Sequence, residues 1–193
     1  ESKVRQFFLD GGHGLSITVP HKWSAFQIAN ELSDEALLAG ACNTLMASDE
    51  GLYGHNTDGL GLIDDLDRLG WSPAGKRILL LGAGGAVAGC LGPLVAREPE
   101  EVVIANRSVE KLRRLVDRFD SGVRGIGLTE LDLQGAPFDL VINGISAGLS
   151  GSAGVELTDR IVNADGACYD LIYSVDDTPF LKMCRSLTDQ RAD

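Results

Sequence analysis

The run Arg77-Ile-Leu-Leu-Leu-Gly82, followed at once by Ala83-Gly-Gly-Ala-Val-Ala-Gly89, constrains this chain more than any other feature. A short apolar run without alternation is the pattern of a strand buried on both faces, as in a parallel sheet. The glycines after it allow a tight turn, and Ala86 to Ala96 resumes as a helix. From Ile78 to Ala96 the sequence contains no charged residue and approaches the length of a bilayer span. Gly82, Gly84, Gly85, Gly89, Gly92 and Pro93 interrupt it, so a strand, a turn and a buried helix start account for it better than a membrane helix.

The same alternation continues downstream. Glu101 to Asn106 reads as a second strand, Val109 to Phe119 as a surface helix with Leu112, Leu115, Val116 and Phe119 on one face, and Phe138 to Asn143 and Gly166 to Ile172 as further buried strands. The predicted class is therefore α/β, a Rossmann-like doubly wound parallel sheet joined to part of an α/β substrate-binding domain. Before residue 75 the pattern changes: a strand is expected at Leu15 to Val19, a helix from Trp23 to Glu31, a hairpin pairing Thr44 to Met46 with Gly51 to Gly54, and a connecting helix from Gly59 to Leu69. The expected division is 1–58 for the partial substrate-binding domain and 59–193 for the nucleotide-binding domain.

Composition narrows the ligand classes. With 193 residues, 44% of them hydrophobic, the chain can fill a core, and a formal net charge of −11 repels nucleic acid and anionic lipid. An anionic ligand must then be held by a local positive feature. Cys42, Cys90, Cys168 and Cys184 are far apart, with no C-x-x-C pair and no His at ligand spacing. They read as reduced, mostly buried thiols of a cytoplasmic protein, with no metal site expected and no signal peptide recognised.

Gly82, Ala83, Gly84, Gly85 and Ala86 occupy the strand-to-helix turn where a glycine fingerprint lets backbone N–H groups and the helix dipole hold a pyrophosphate. The fingerprint is imperfect: Val87 stands at the third glycine position and the next glycine is Gly89. A close-packed turn without a ligand is the alternative reading. The end of the next strand reads Asn106-Arg107-Ser108, with Lys111 one helical turn on, where an NAD site usually has an acidic residue for the ribose 2′-OH. Arg107 can meet a 2′-phosphate face-on and Asn106 and Ser108 can donate to it, which favours NADP. Cations at a helix start oppose its dipole, so an anion explains them better than a solvated basic patch.

Taken singly, Lys22 reads as a solvated lysine, and Asp58 equally as a helix N-cap or as a catalytic group. The segments around them carry more information. Ser16-Ile-Thr-Val-Pro-His-Lys22, Ala39-Gly-Ala-Cys-Asn-Thr-Leu45, Asn56-Thr-Asp-Gly-Leu-Gly61, Asn106-Arg107-Ser108 and Tyr169-Asp-Leu-Ile-Tyr-Ser-Val-Asp-Asp-Thr-Pro-Phe180 resemble, in order and spacing, the signature segments of the shikimate dehydrogenase family. The resemblance implies NADP-dependent, reversible reduction of 3-dehydroshikimate to shikimate, with Lys22 and Asp58 as the catalytic pair. It also implies that Ser16, Thr18 and Asn43 contact the substrate and that Tyr173 contributes from the nucleotide side. Oxidising a secondary alcohol requires a base whose charge can alternate, and a lysine, with a reference pKa of about 10.4, needs burial to serve. Which member of the pair is the base stays open. A quinate/shikimate dehydrogenase using NAD and a non-catalytic nucleotide-binding fragment are the alternatives, and the partner expected is a small molecule, with the protein a monomer or homodimer.

The match departs from the family at several points. Ser16-Ile17 replaces Asn-Val, Val87-Ala88 replaces a common Ser-Arg, and Lys111 stands for an Arg, which keeps the charge but loses the bidentate fork. The family also begins with a βα segment bearing a Ser-x-Ser pair and continues past Arg191-Ala-Asp193 into a Gln-bearing helix. On that comparison the chain is expected to be a fragment, with little or no activity if nothing accompanies it.

Overall fold

A computed structural model of the chain describes residues 1–119, 121–145, 155–188 and 193. The first half contains α1 (Ser2–Leu9), β1 (Gly14–Ser16), α2 (Lys22–Ile28), β2 (Glu31–Leu32), α3 (Asp34–Ala39), β3 (Thr44–Ser48), β4 (Gly51–His55) and α4 (Asp58–Leu69). The second contains β5 (Arg77–Leu81), α5 (Gly85–Val95), β6 (Glu101–Asn106), α6 (Val109–Val116), β7 (Val123–Gly127), a 3-10 turn at Leu128–Leu133, β8 (Phe138–Asn143), β9 (Val162–Asp170) and α7 (Pro179–Cys184).

β5 lies at the centre of a parallel sheet of order β7-β6-β5-β8-β9. Its side chains explain why. Ile78 and Leu80 pack into a core with Leu62, Leu66, Leu91 and Leu112 of α4, α5 and α6, whereas Leu79 and Leu81 join Ile161, Leu181 and Cys184 on the other face. A strand apolar on both sides is stable only with both faces covered, and this sheet is wound on both. The strand order reverses at β5, since the chain travels outward through β6 and β7 and returns to β8 on the other side. That reversal opens a crevice at the carboxyl ends of β5 and β8, where ligands bind in sheets of this type.

The other sheet has the order β1-β3-β4-β2, antiparallel except for the β2–β4 pair. Its buried cluster is small, consisting of Ala25, Ala36, Cys42 and Leu45 with partly buried neighbours such as Val4, Phe8 and Ile17. Ser33 caps α3, its hydroxyl accepting from Ala36 N–H, and Gly40 ends it in the left-handed region at φ 61°. The two layers meet where Leu38 packs against Gly92 of α5 and Arg118 donates to the Leu38 carbonyl at 3.0 Å.

The α/β class and the strands at Glu101–Asn106 and Phe138–Asn143 agree with the sequence reading. The Ile78 to Ala96 segment is most of β5, the turn and all of α5, and among the described residues no helix is long and apolar enough to cross a membrane. Several expectations are corrected. The first strand stops at Ser16 because a turn from His21 N–H to the Thr18 carbonyl bends the chain away. The helix expected to reach Glu31 ends at Ile28. Asn30 pairs with Leu52 through both backbone and side chain, and this draws Glu31–Leu32 into the sheet beside Tyr53–Gly54. Helices α1, α3 and α7 and strand β7 are additional to the elements expected from the sequence.

All four cysteines are free and buried. Burial pushes the Cys42 thiol up to about 11 and, with the Asp58 charge adding to it and Lys22 opposing it, Cys90 up to about 12. Cys184 is raised too, by its hydrogen bond to Cys168 and by burial. Because the thiolate is the reactive form, native protein at pH 8 is expected to leave these thiols unlabelled by a disulfide reagent, with roughly four becoming reactive after denaturation. Rapid labelling of Cys42 or Cys90 in the native state would contradict this burial.

Candidate active site

Lys22 opens α2 and Asp58 opens α4, far apart in sequence but brought together by the second sheet. The Lys22 carbonyl accepts from Cys42 N–H at 2.9 Å, which ties the start of α2 to the loop before β3. Lys22 Nζ reaches Asp58 Oδ2 at 2.6 Å, with the two side chains only 13% and 19% exposed. This is a short, charge-assisted bond in a partly dry setting, where such contacts are stronger than in water. Asp58 is not the N-cap of α4. Thr57 holds that position without a side-chain capping bond, which leaves the Asp58 carboxylate turned toward Lys22.

Asn43 completes the arrangement. Its Nδ2 donates to Asp58 Oδ1 at 2.9 Å and to Thr57 Oγ1 at 2.8 Å, while its Oδ1 accepts from Thr57 N–H at 3.2 Å and Thr44 Oγ1 at 2.9 Å. Each Asp58 oxygen therefore has one partner, Lys22 on one side and Asn43 on the other. Such a group can hold a proton at a defined point and exchange it with a ligand hydroxyl. Thr57 and Asn56 belong to this frame as well, and nothing in the sequence around them marks either for a role. Ser16 pairs with Thr44 across the β1–β3 ladder, and Ile17 N–H bonds the Asn43 carbonyl at 2.7 Å, so Ser16 and Thr18 flank Asn43 with exposed side chains. Tyr173, 98% exposed, makes no hydrogen bond to any described residue and is not drawn into this group.

The glycine turn stands beside the pair. Gly82 adopts φ 104°, and a Cβ there would lie 3.1 Å from the Gly144 carbonyl oxygen, so only glycine fits the turn. Gly84 precedes α5 in extended conformation with no side-chain cap, and a Cβ on it would meet no described atom within 4 Å. The first-turn N–H groups of α5 have no intrahelical acceptor, as at any helix start. At the neighbouring strand end, Arg107 and Lys111 form no ion pair among the described residues. Ser108 Oγ caps α6 by accepting from Lys111 N–H at 3.4 Å, and among the described residues its own O–H has no acceptor. Asn106 donates one amide N–H to the Ser108 carbonyl at 3.3 Å, and among the described residues the other has no acceptor. Gly82 to Ala86, Asn106, Arg107, Ser108 and Lys111 thus provide N–H donors and cations suited to a phosphorylated dinucleotide. Among the described residues no group of three or more His, Cys, Asp or Glu side chains is placed to hold a metal ion.

The displaced third glycine is also explained. Val87 is fully buried, and its Cγ2 fills the space where a Cβ on Gly144 would stand. The close packing normally allowed by a glycine in the helix is here allowed by one in the loop after β8.

Residues 1–45 match the model of the shikimate dehydrogenase substrate binding domain, and residues 67–150 that of shikimate / quinate 5-dehydrogenase. The shikimate dehydrogenase (NADP(+)) of Aeromonas salmonicida is 44% identical over 191 residues, spanning 98% of this chain and 69% of that protein. This chain belongs to the shikimate dehydrogenase family. The corresponding protein of Cellvibrio japonicus is 48% identical over 179 residues, 91% of this chain and 64% of its own length. The chain thus spans roughly two thirds of the curated relatives it matches. Among solved structures, an Ael1 enzyme from Pseudomonas putida superposes with a TM-score of 0.82 at 37% identity, covering 99% of this chain and 70% of that one. Shikimate 5-dehydrogenase from Thermus thermophilus, solved with NADP(H) and shikimate, gives 0.81 at 26% identity, covering 100% of this chain and 70% of that one.

The Val87–Gly144 exchange is testable by a double-mutant cycle. Gly144→Ala alone should cost about 1–3 kcal/mol by overpacking, measured by denaturant unfolding, and adding Val87→Ala should recover part of that loss. Strict additivity of the two changes would refute the contact.

Proposed function

We propose that the protein catalyses the NADP-dependent, reversible reduction of 3-dehydroshikimate to shikimate, with Lys22 and Asp58 as its catalytic pair. The observation that carries this reading is the 2.6 Å Lys22–Asp58 bond, anchored by Asn43 and placed beside the glycine turn of a dinucleotide-binding sheet in a chain of this family. Residues 1–58 form the substrate-binding part and 59–193 the NADP-binding part. The division is supported by Leu62, Ile63 and Leu66 of α4, which pack into the core of the parallel sheet.

NADP supplies the hydride acceptor in the oxidative direction and the hydride donor in the reductive one. The chain's own groups manage the proton. As the C–H bond of the substrate alcohol breaks, its O–H proton passes to the Lys22–Asp58 pair, and in reverse the pair returns that proton to the forming hydroxyl. Asn43 holds Asp58 Oδ1 so that Oδ2 stays on Lys22, and the pair keeps one geometry through the cycle. Ser16, Thr18 and Asn43 position the substrate ring, and Tyr173 approaches from the nucleotide side. Arg107 and Lys111 hold the 2′-phosphate, with Asn106 and Ser108 donating. The protein works in the cytoplasm as a monomer or homodimer.

Two substitutions test separate parts of the reading in the full-length protein. Lys22→Ala should lower kcat for shikimate oxidation by several orders of magnitude while changing KM for shikimate far less. Unchanged kcat would remove Lys22 from the chemistry. Arg107→Ala should raise KM for NADP roughly tenfold, the loss of one charge-assisted contact, and leave KM for NAD within about twofold. Equal effects on both cofactors would place Arg107 elsewhere. Turnover of quinate with NAD in preference to shikimate with NADP would reverse the assignment of substrate and cofactor.

A further inference from the structure

Asn56 is only 2% exposed, and its side chain is bonded at both ends to backbone. Nδ2 donates to the Ala41 carbonyl at 2.9 Å, and Oδ1 accepts from Asp58 N–H at 3.0 Å. Ala41 lies two residues before Asn43, and Asp58 two residues after Asn56. One amide therefore fixes both the loop that presents Asn43 and the backbone that presents Asp58. The Asn43–Asp58 bond at 2.9 Å and the Lys22–Asp58 bond at 2.6 Å are made inside that frame.

The nucleotide side touches the same amide. A Cβ on Gly89 of α5 would stand 2.8 Å from Asn56 Oδ1 and 3.0 Å from Asp58 Oδ2, closer than ordinary contact allows. One turn earlier on the same helix face, a Cβ on Gly85 would lie 3.4 Å from Lys22 Cβ. The helix that starts at the glycine turn therefore lies with bare backbone against Asn56 and both members of the pair.

We propose that Asn56 is a positioning residue. It sets the separation of Asn43 and Asp58, and through Asn43 the angle at which the Asp58 carboxylate meets Lys22, and the missing side chain of Gly89 is the condition for α5 to lie against it. The inference rests on the reading of Lys22 and Asp58 as the catalytic pair. Neither hydrogen bond of Asn56 is made to the glycine turn, so loss of Asn56 affects proton handling and not cofactor binding. Displacement of a reacting group by about 1 Å can cost on the order of 100-fold in rate.

Three variants of the full-length protein test this, each measured for kcat against pH, for NADP dissociation constant and for thermal midpoint. Asn56→Ala should lower kcat by roughly 100-fold, with NADP affinity within about twofold of wild type. Gly89→Ala should lower kcat by more than about tenfold with the same retention of NADP binding, through a contact that does not delete the amide. Asn56→Asp is the diagnostic variant. Ionised, the new carboxylate cannot donate to the Ala41 carbonyl and places a charge beside Asp58; protonated, it can donate to one partner and accept from the other. Its kcat relative to wild type should rise as pH falls. Should Asn56→Ala not fold, Gly89→Ala and Asn56→Asp decide the matter. Wild-type kcat in folded Asn56→Ala or Gly89→Ala would overturn the proposal, as would a loss that tracks NADP affinity or an Asn56→Asp ratio that does not change with pH. If Lys22→Ala is inactive while the Asn56 variants are normal, only this inference fails. If Lys22→Ala is itself active, the parent reading fails.

Discussion

At Gly89 the backbone of α5 comes closer to the Lys22–Asp58 ion pair than a side chain would allow, and the relation between the two sheets depends on this contact. The contact continues along both helices. Gly59 of α4 faces the Gly89 carbonyl and the ring of Pro93, and there is no room for a Cβ there either. Pro93 has no N–H to offer the Gly89 carbonyl four residues earlier, which turns that carbonyl outward to α4. The same glycines that weaken a helix by intrinsic propensity serve here to bring two helix axes and a charged pair together. Tertiary packing outweighs that propensity cost, since Val87, Cys90, Leu91 and Leu94 of α5 are all buried in the parallel-sheet core.

That approach places a partly buried ion pair beside a helix start, and the polar network explains how the charges are tolerated. Burial of charge is costly unless each charged atom is paired and hydrogen-bonded. Both Asp58 oxygens have partners, and the amides of Asn43 and Asn56 bond to neighbouring backbone and side chains. A network satisfied to this degree holds one geometry. The other edge of the crevice has a similar device. Asp170, buried at the end of β9, accepts from Asn143 Nδ2 at 3.0 Å, Ile172 N–H at 3.1 Å and Thr178 Oγ1 at 2.6 Å. These bonds tie the ends of β8 and β9 to the segment that bears Tyr173. In this way both edges of the crevice are held by polar side chains that bond backbone.

Legibility differed between the two halves for a physical reason. β5, β6 and β8 are continuous apolar runs because both faces of a parallel sheet are covered, and this signal needs no knowledge of partners. β7 reads Val-Arg-Gly-Ile-Gly at the sheet edge, where one flank is unpaired and the pattern fades. In the smaller sheet, β2 is two residues long and exists only because Asn30 captures Leu52 and β4 offers a parallel ladder. α1 buries no residue, and α3 is six residues long between a Ser cap and a left-handed Gly, too short for periodicity to register. Of the candidate site, the glycine turn and Arg107 stand out by local chemistry alone, because a strand, a turn and a helix start are contiguous in sequence. Lys22, Asn43 and Asp58 were named only through family resemblance, since hydrogen bonds between segments this distant leave no local pattern.

By itself, the sequence determined a doubly wound parallel sheet, a glycine turn at its switch point and a cationic strand end where an acidic residue is usual. Each of these follows from neighbouring residues acting within a single strand, turn or helix. Only the tertiary structure decided that Asp58 turns to Lys22 instead of capping α4, that Asn56 clamps the frame of the pair, and that the third glycine of the fingerprint is replaced by Gly144 in a loop after β8. These outcomes depend on which backbone approaches which. That is settled when two sheets pack through the bare face of one helix, and not by the order of residues along any one element.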